Sequence, residues 1–147
     1  MKNLCLSLLL AATSCLSADL FAHCQVPCGV YGDQNRFEQM LEDQTTIEKA
    51  GKLISELSGK NDALSHNQLA RWVATKESHA TAIQNTIADY FMAQRIKASD
   101  KKYSEKLAKA HAVMVAAMKC KQTVDAQTAA ALKESILSFH KAYEGRK

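Results

Sequence analysis

Apolar positions in this chain fall into one almost unbroken run followed by four periodic stretches. The run comes first, with apolar and small residues and no charge from Leu4 to Leu16. After Asp33, a suitable helix cap, Phe37, Met40, Leu41, Ile47, Ile54 and Leu57 recur on a helical period with interruptions. Ser58-Gly59-Lys60-Asn61-Asp62 reads as a turn. Ser65-x-x-Gln68 has the form of a capping box, with Leu64 and Leu69 as its hydrophobic staple. The helix it opens carries Leu69, Trp72, Val73, Ala80, Ile83, Ile87, Tyr90 and Phe91. Ser99 or Asp100 can cap a third helix with Leu107, Ala110, Met114 and Met118. Thr123 or Asp125 can cap a fourth with Leu132, Ile136, Phe139 and Tyr143. Four amphipathic helices on short polar turns predict an all-α fold, an antiparallel four-helix bundle over residues 32–147.

The leading run has different company. Met1-Lys2-Asn3 gives it a positive start, and Asp19-Leu20-Phe21-Ala22 closes it with a small residue. That is the layout of a secretory leader, and the run is too short for a comfortable membrane span. We expect residues 1–22 to be removed by a leader-processing protease and the product to be exported, periplasmic or extracellular, with no membrane attachment afterwards. Cleavage after Ala18 with later trimming, and lipidation at Cys15, are the alternatives.

Composition narrows the function classes. The chain has 147 residues, enough for one domain. One proline and five glycines leave too few turn signals for an all-β domain. Net charge is +4, and it stays there after loss of Lys2 and Asp19. Basic and acidic residues alternate without a Lys/Arg block, so nucleic acid is not an expected partner. The mature chain keeps Cys24, Cys28 and Cys120, an odd number for an exported protein, so at least one thiol is unpaired or has another use.

The candidate chemistry lies in His23-Cys24-Gln25-Val26-Pro27-Cys28-Gly29-Val30-Tyr31. A Cys-x3-Cys pair alone is weak evidence, since it also reads as a small disulfide loop, which export would favour, or as half of a zinc site lacking its other ligands. Cleavage before His23 changes that. The new N-terminus then offers an amine, an imidazole and a thiol within two residues. The amine, the Cys24 backbone nitrogen and the Cys24 sulfur can close two adjacent chelate rings. Pro27 and Gly29 can turn the chain so that Cys28 adds a second sulfur. Planar N2S2 suits nickel(II) or copper(II) and does not suit zinc.

This segment, followed by a four-helix bundle, resembles the nickel superoxide dismutases. The resemblance implies that His23 gives its amine and imidazole, Cys24 its amide nitrogen and sulfur, and Cys28 its sulfur. It also implies one nickel per chain, a cis bond at Val26-Pro27, and a homohexamer in which adjacent bundles hold the hooks. Tyr31 would gate small anions near the open face of the metal. A carboxylate on the first helix would orient the imidazole: Glu38, in Arg36-Phe37-Glu38, or Glu42. Arg71, Lys76 and His79 are the basic residues in range to support it. The implied reaction converts superoxide to dioxygen and hydrogen peroxide as nickel alternates between its +2 and +3 states. Gln25 stands where many members carry an acid, with little expected consequence, because backbone groups act there.

The remaining residues read more plainly. His66, His79, His111 and His140 lack metal-motif spacing and are expected on surfaces or in packing. Cys120 is expected to fill core space. Asp89-Tyr90-Phe91 is a core turn of the second helix, and Tyr90 is placed to approach a neighbouring subunit's hook. Two rival functions use the same hook. One is an exported bundle with a Cys24-Cys28 disulfide, and the other is a nickel- or copper-binding protein without turnover.

Overall fold

The computed structural model describes residues 32–145. The expected leader (1–22), the expected hook (23–31) and the last two residues lie outside the described part. Within it, helix α1 spans Asp33–Leu57 and α2 spans Ala63–Asn85, running straight on into a π-helical segment, Thr86–Arg95. Helix α3 spans Tyr103–Gln122 and α4 spans Ala126–Glu144. The expected all-α bundle is observed, with no strand among the described residues. Short connectors make successive helices antiparallel. The packed pairs are α1 with α2, α2 with α3, α3 with α4, and α4 back with α1, which closes the bundle. No described helix is long and apolar enough to cross a membrane.

The periodic residues form the core as their spacing requires. Phe37, Met40 and Ile47 of α1 meet Ile83, Ile87 and Phe91, together with Val113, Leu132, Ile136 and Phe139. Each such side chain withdrawn from water contributes about 1.5–3 kcal/mol before entropy is counted. Polar ties stitch the seams. Gln44 Nε2 donates to the Ala129 carbonyl of α4 at 3.0 Å, and Gln84 Nε2 donates to the Met114 carbonyl of α3 at 3.2 Å. Cys120 is buried, as expected, and points its thiol at the Thr128 carbonyl, 3.4 Å away. Burial also pushes that thiol's pKa up, as for a group packed in the core.

Several helix starts differ from the sequence reading. Ser65 does not cap α2. Asp62 does, accepting from the Ser65 amide at 2.9 Å and from its hydroxyl at 2.6 Å, and Leu64 stays exposed, so the staple does not form. An aspartate in the turn is as good a cap as a serine, and it starts the helix earlier. Gly32, not Asp33, caps α1, and the Asp33 side chain goes elsewhere. Asp100 holds the Lys102 amide at 2.8 Å ahead of α3, while Asp125 caps α4 as expected. Val73 and Met118 face solvent, beyond the edge of their helices' buried stripes. Helix α4 ends on Gly145 with φ of 70°, the left-handed closure that glycine takes without strain.

The π-helical segment was not foreshadowed by periodicity. Its widened turn is visible in the Ile96 amide donating to the Phe91 carbonyl at 2.8 Å, and the Gln94 side chain adds a bond from Nε2 to the Asp89 carbonyl at 2.7 Å. Such segments concentrate at functional positions because they re-aim side chains that a regular helix would separate.

Candidate functional site

The candidate hook joins the bundle at Gly32, so the first described turn of α1 marks the end of the molecule nearest to it in sequence. This end is aromatic and polar together. Phe37 packs against Phe91 with ring centres 4.7 Å apart, and Phe91 meets Phe139 edge-on at 5.0 Å and Tyr143 at 5.2 Å. His140 stacks flat on Phe37 at 4.0 Å, which gives it the packing role expected.

Above this cluster sits the Asp33 carboxylate. Tyr90 donates its hydroxyl to Oδ1 at 2.6 Å, Tyr143 donates to Oδ2 at 2.7 Å, and Arg95 donates from Nε to Oδ1 at 2.7 Å. The Arg95 guanidinium adds an ion pair at 2.6 Å. Burial works against the ionised carboxylate, but hydrogen bonds from Tyr90, Tyr143 and Arg95 outweigh it and hold the pKa below the ordinary value. Burial and the Asp33 bond push both tyrosine hydroxyls up, so they remain donors at neutral pH. Around this node, Arg95 lies over the Tyr90 ring at 5.3 Å, and Lys106 over the Tyr143 ring at 5.0 Å. The sequence reading treated Tyr90 and Tyr143 as core members and Asp33 as a cap. It gave no sign that one carboxylate gathers them, because the contacts span 57 and 110 residues.

The other candidates separate. Glu38 is exposed and accepts from Gln34 Nε2 at 2.8 Å, and Glu42 is also exposed. Of the basic residues considered as supports, Arg71 is exposed. Lys76 is buried, and its ammonium donates to the Cys120 and Lys121 carbonyls at 2.5 and 2.8 Å, which closes the C-terminus of α3. His79 is the one that meets a first-helix carboxylate, with Nδ1 2.6 Å from Asp43 Oδ1. Asp43 is 7% exposed, and its Oδ2 has no hydrogen-bond partner among the described residues. This pair was missed because Asp43 reads as one more polar position between Leu41 and Ile47. His66 and His111 are exposed, as expected.

A cavity of about 660 Å³ opens elsewhere, between α1 and the α3–α4 turn, lined by Thr45, Lys76, Cys120 and Val124 among others. It belongs to the end of the bundle away from residue 32. Among the described residues, no three of His, Cys, Asp and Glu gather closely enough to hold a metal ion. His23, Cys24, Cys28 and Tyr31, the residues named for that chemistry, fall outside the described part.

The family model for nickel-containing superoxide dismutase matches residues 18–147, a span that includes His23 to Tyr31. The chain belongs to that family. It is therefore a superoxide dismutase, an oxidoreductase, whose family cofactor is nickel. Neither a curated protein nor a solved structure matches the chain. The residues of the hook fit nickel by their chemistry. With cleavage before His23, the two thiols, the new amine and an amide nitrogen of this segment would offer the soft donor types that this ion takes in preference to harder cations.

Proposed function

We propose that the leader is removed before His23 in an exported protein, and that the freed N-terminus holds one nickel per chain for superoxide disproportionation. The observation that carries this reading is the His-Cys-x2-Pro-Cys-Gly-x-Tyr segment standing directly ahead of the bundle, inside the span matched by the family. His23 supplies its amine and imidazole, Cys24 its amide nitrogen and sulfur, and Cys28 its sulfur. When bound, nickel supplies one-electron chemistry by alternating between its +2 and +3 states.

The chain's own residues set the conditions for that chemistry. A free His23 amine is required for this donor set, because acylation makes it an amide, which binds a metal only after losing its proton and then as an anion. The Cys24 and Cys28 sulfurs would hold the metal and, as electron-rich donors, would favour its higher oxidation state. The Tyr31 hydroxyl would admit a small anion and keep bulkier reductants from the sulfurs. A first-helix carboxylate orients the His23 imidazole, with Glu38 the assignment from the motif. A second assignment is favoured by one contact: Asp43, with His79 against it, has the carboxylate-and-base form that Glu38 lacks. A homohexamer is part of this reading, since nine residues with one proline have little means of holding themselves in a compact fold.

N-terminal sequencing, metal analysis and pulse radiolysis of protein from an exporting host test the proposal together. Expected are a chain starting at His23, one nickel per chain, and rapid superoxide decay that disappears when a single residue is added before His23. Active protein that begins at Asp19, or that carries a Cys24-Cys28 disulfide, overturns it.

A further inference from the structure

An aspartate in the first turn of a helix is ordinarily satisfied by nearby backbone amides and the helix dipole. Asp33 instead accepts from Tyr90 and Arg95 of the π-helical segment and from Tyr143 of α4. Two parts of the bundle thus converge on the first helical residue after the hook. The π-helical turn makes the convergence geometrically feasible. In a regular α-helix, Tyr90 and Arg95 would point about 140° apart around the axis. With five-residue hydrogen bonding, shown by the Ile96 amide on the Phe91 carbonyl, they share a face and reach the same oxygen.

We infer that Asp33, held by Tyr90, Tyr143 and Arg95, is the anchor that fixes where the nickel-binding segment leaves the bundle. It is a positioning residue for the ligands, and neither a ligand nor a reactant. The inference rests on the reading that residues 23–28 hold nickel. Only Gly29 to Gly32 separate Cys28 from Asp33, and two of those four residues are glycines. Without the anchor, the first turn of α1 loses its side-chain ties and frays, as weakly held helix ends do. Each frayed residue lengthens the tether and adds to the entropy lost when the ligands assemble.

The test compares Asp33→Asn and Tyr143→Phe with Asp62→Ala in processed, nickel-loaded protein. Asp62 caps α2 at the opposite end of the 25-residue α1, about 37 Å away at 1.5 Å per residue. Asp33→Asn keeps the shape and removes the charge, while Asp62→Ala destabilises the bundle far from the hook. The readouts are the rate of nickel release to a chelator, the circular dichroism of the thiolate-to-nickel bands, and Tm. Asp33→Asn is expected to speed release about tenfold, the low end of what outer partners of metal sites carry. It should also alter the nickel bands, and Tyr143→Phe should do the same more weakly. Asp62→Ala should lower Tm and leave both nickel readouts at the wild-type value. If Asp33→Asn fails to fold, Tyr143→Phe against Asp62→Ala decides the matter. Release that merely follows Tm across all variants, or that does not change at all, overturns the anchor while leaving the nickel site standing. A processed wild-type protein that retains no nickel in its hook overturns the site and the anchor together.

Discussion

The two ends of the bundle are built from different materials. At the end where residue 32 enters, large rings pack face and edge, and a carboxylate gathers two tyrosines and an arginine from distant parts of the chain. At the other end the helices come close through small residues. A Cβ on Gly51 would lie 3.3 Å from the Val124 carbonyl oxygen, and Ala50, Ala116, Ala117, Cys120 and Ala129 are buried. There the polar groups serve helix ends: Asp62 and Asp125 cap two N-termini, and Lys76 closes one C-terminus. One end gathers distant elements on a single carboxylate, while the other directs more of its polar groups to helix ends. The chain leaves toward the hook at the end where separate elements are tied to one carboxylate.

The sharpest break in this comparison lies outside the bundle. Cys24→Ser or Cys28→Ser should reduce superoxide decay, followed by pulse radiolysis, to background while leaving far-UV helicity unchanged. His23→Gln should retain nickel(II) and slow turnover, and Tyr31→Phe should cost less than any ligand change. Near-normal turnover in both cysteine variants would remove the hook from the chemistry.

The next effect is one of stability. Phe91→Ala deletes the ring at the centre of the aromatic cluster and should lower the denaturant-derived stability by about 3–5 kcal/mol. At the other end, Lys76→Met removes the donor from two α3 carbonyls and should cost about 1–3 kcal/mol. If Lys76→Met cost more than Phe91→Ala, the contrast between the ends would be wrong.

Acid and base should strip the Asp33 node in a predictable order. The folded-state pKa of Asp33 is lowered, so its contribution is complete above about pH 4 and is lost as pH falls through the folded-state value. Tyr90 and Tyr143 are raised, chiefly by burial and then by the Asp33 bond. Unfolded tyrosines ionise near pH 10 while these resist, so stability declines above about pH 10. Asp33→Asn should flatten the acid limb of a Tm-against-pH curve. An unchanged acid limb would show that the node contributes nothing to stability. The smallest expected effect is Asp125→Ala, a lost cap of about 1 kcal/mol by thermal unfolding, with no change in nickel retention.

Much of this molecule is decided by local sequence. The helical period of Phe37 to Leu57 and of Leu132 to Tyr143, with polar turns between, suffices for four helices that must bury one face each, and only a bundle does that with connectors so short. The hook motif is equally local, because its chemistry depends on donor atoms within a few bonds of one another, and it was legible before any fold was known. Other features depend on which side chains meet. Whether Asp62 or Ser65 caps α2 is a competition between neighbours that the pattern leaves open. The Asp43–His79 pair, the Lys76 closure of α3 and the convergence on Asp33 join residues from 36 to 110 positions apart. No period or motif encodes such pairings. They arise because close packing fixes the rotation of each helix about its axis, and that rotation, set by the whole core at once, decides which polar groups are brought together and must find partners.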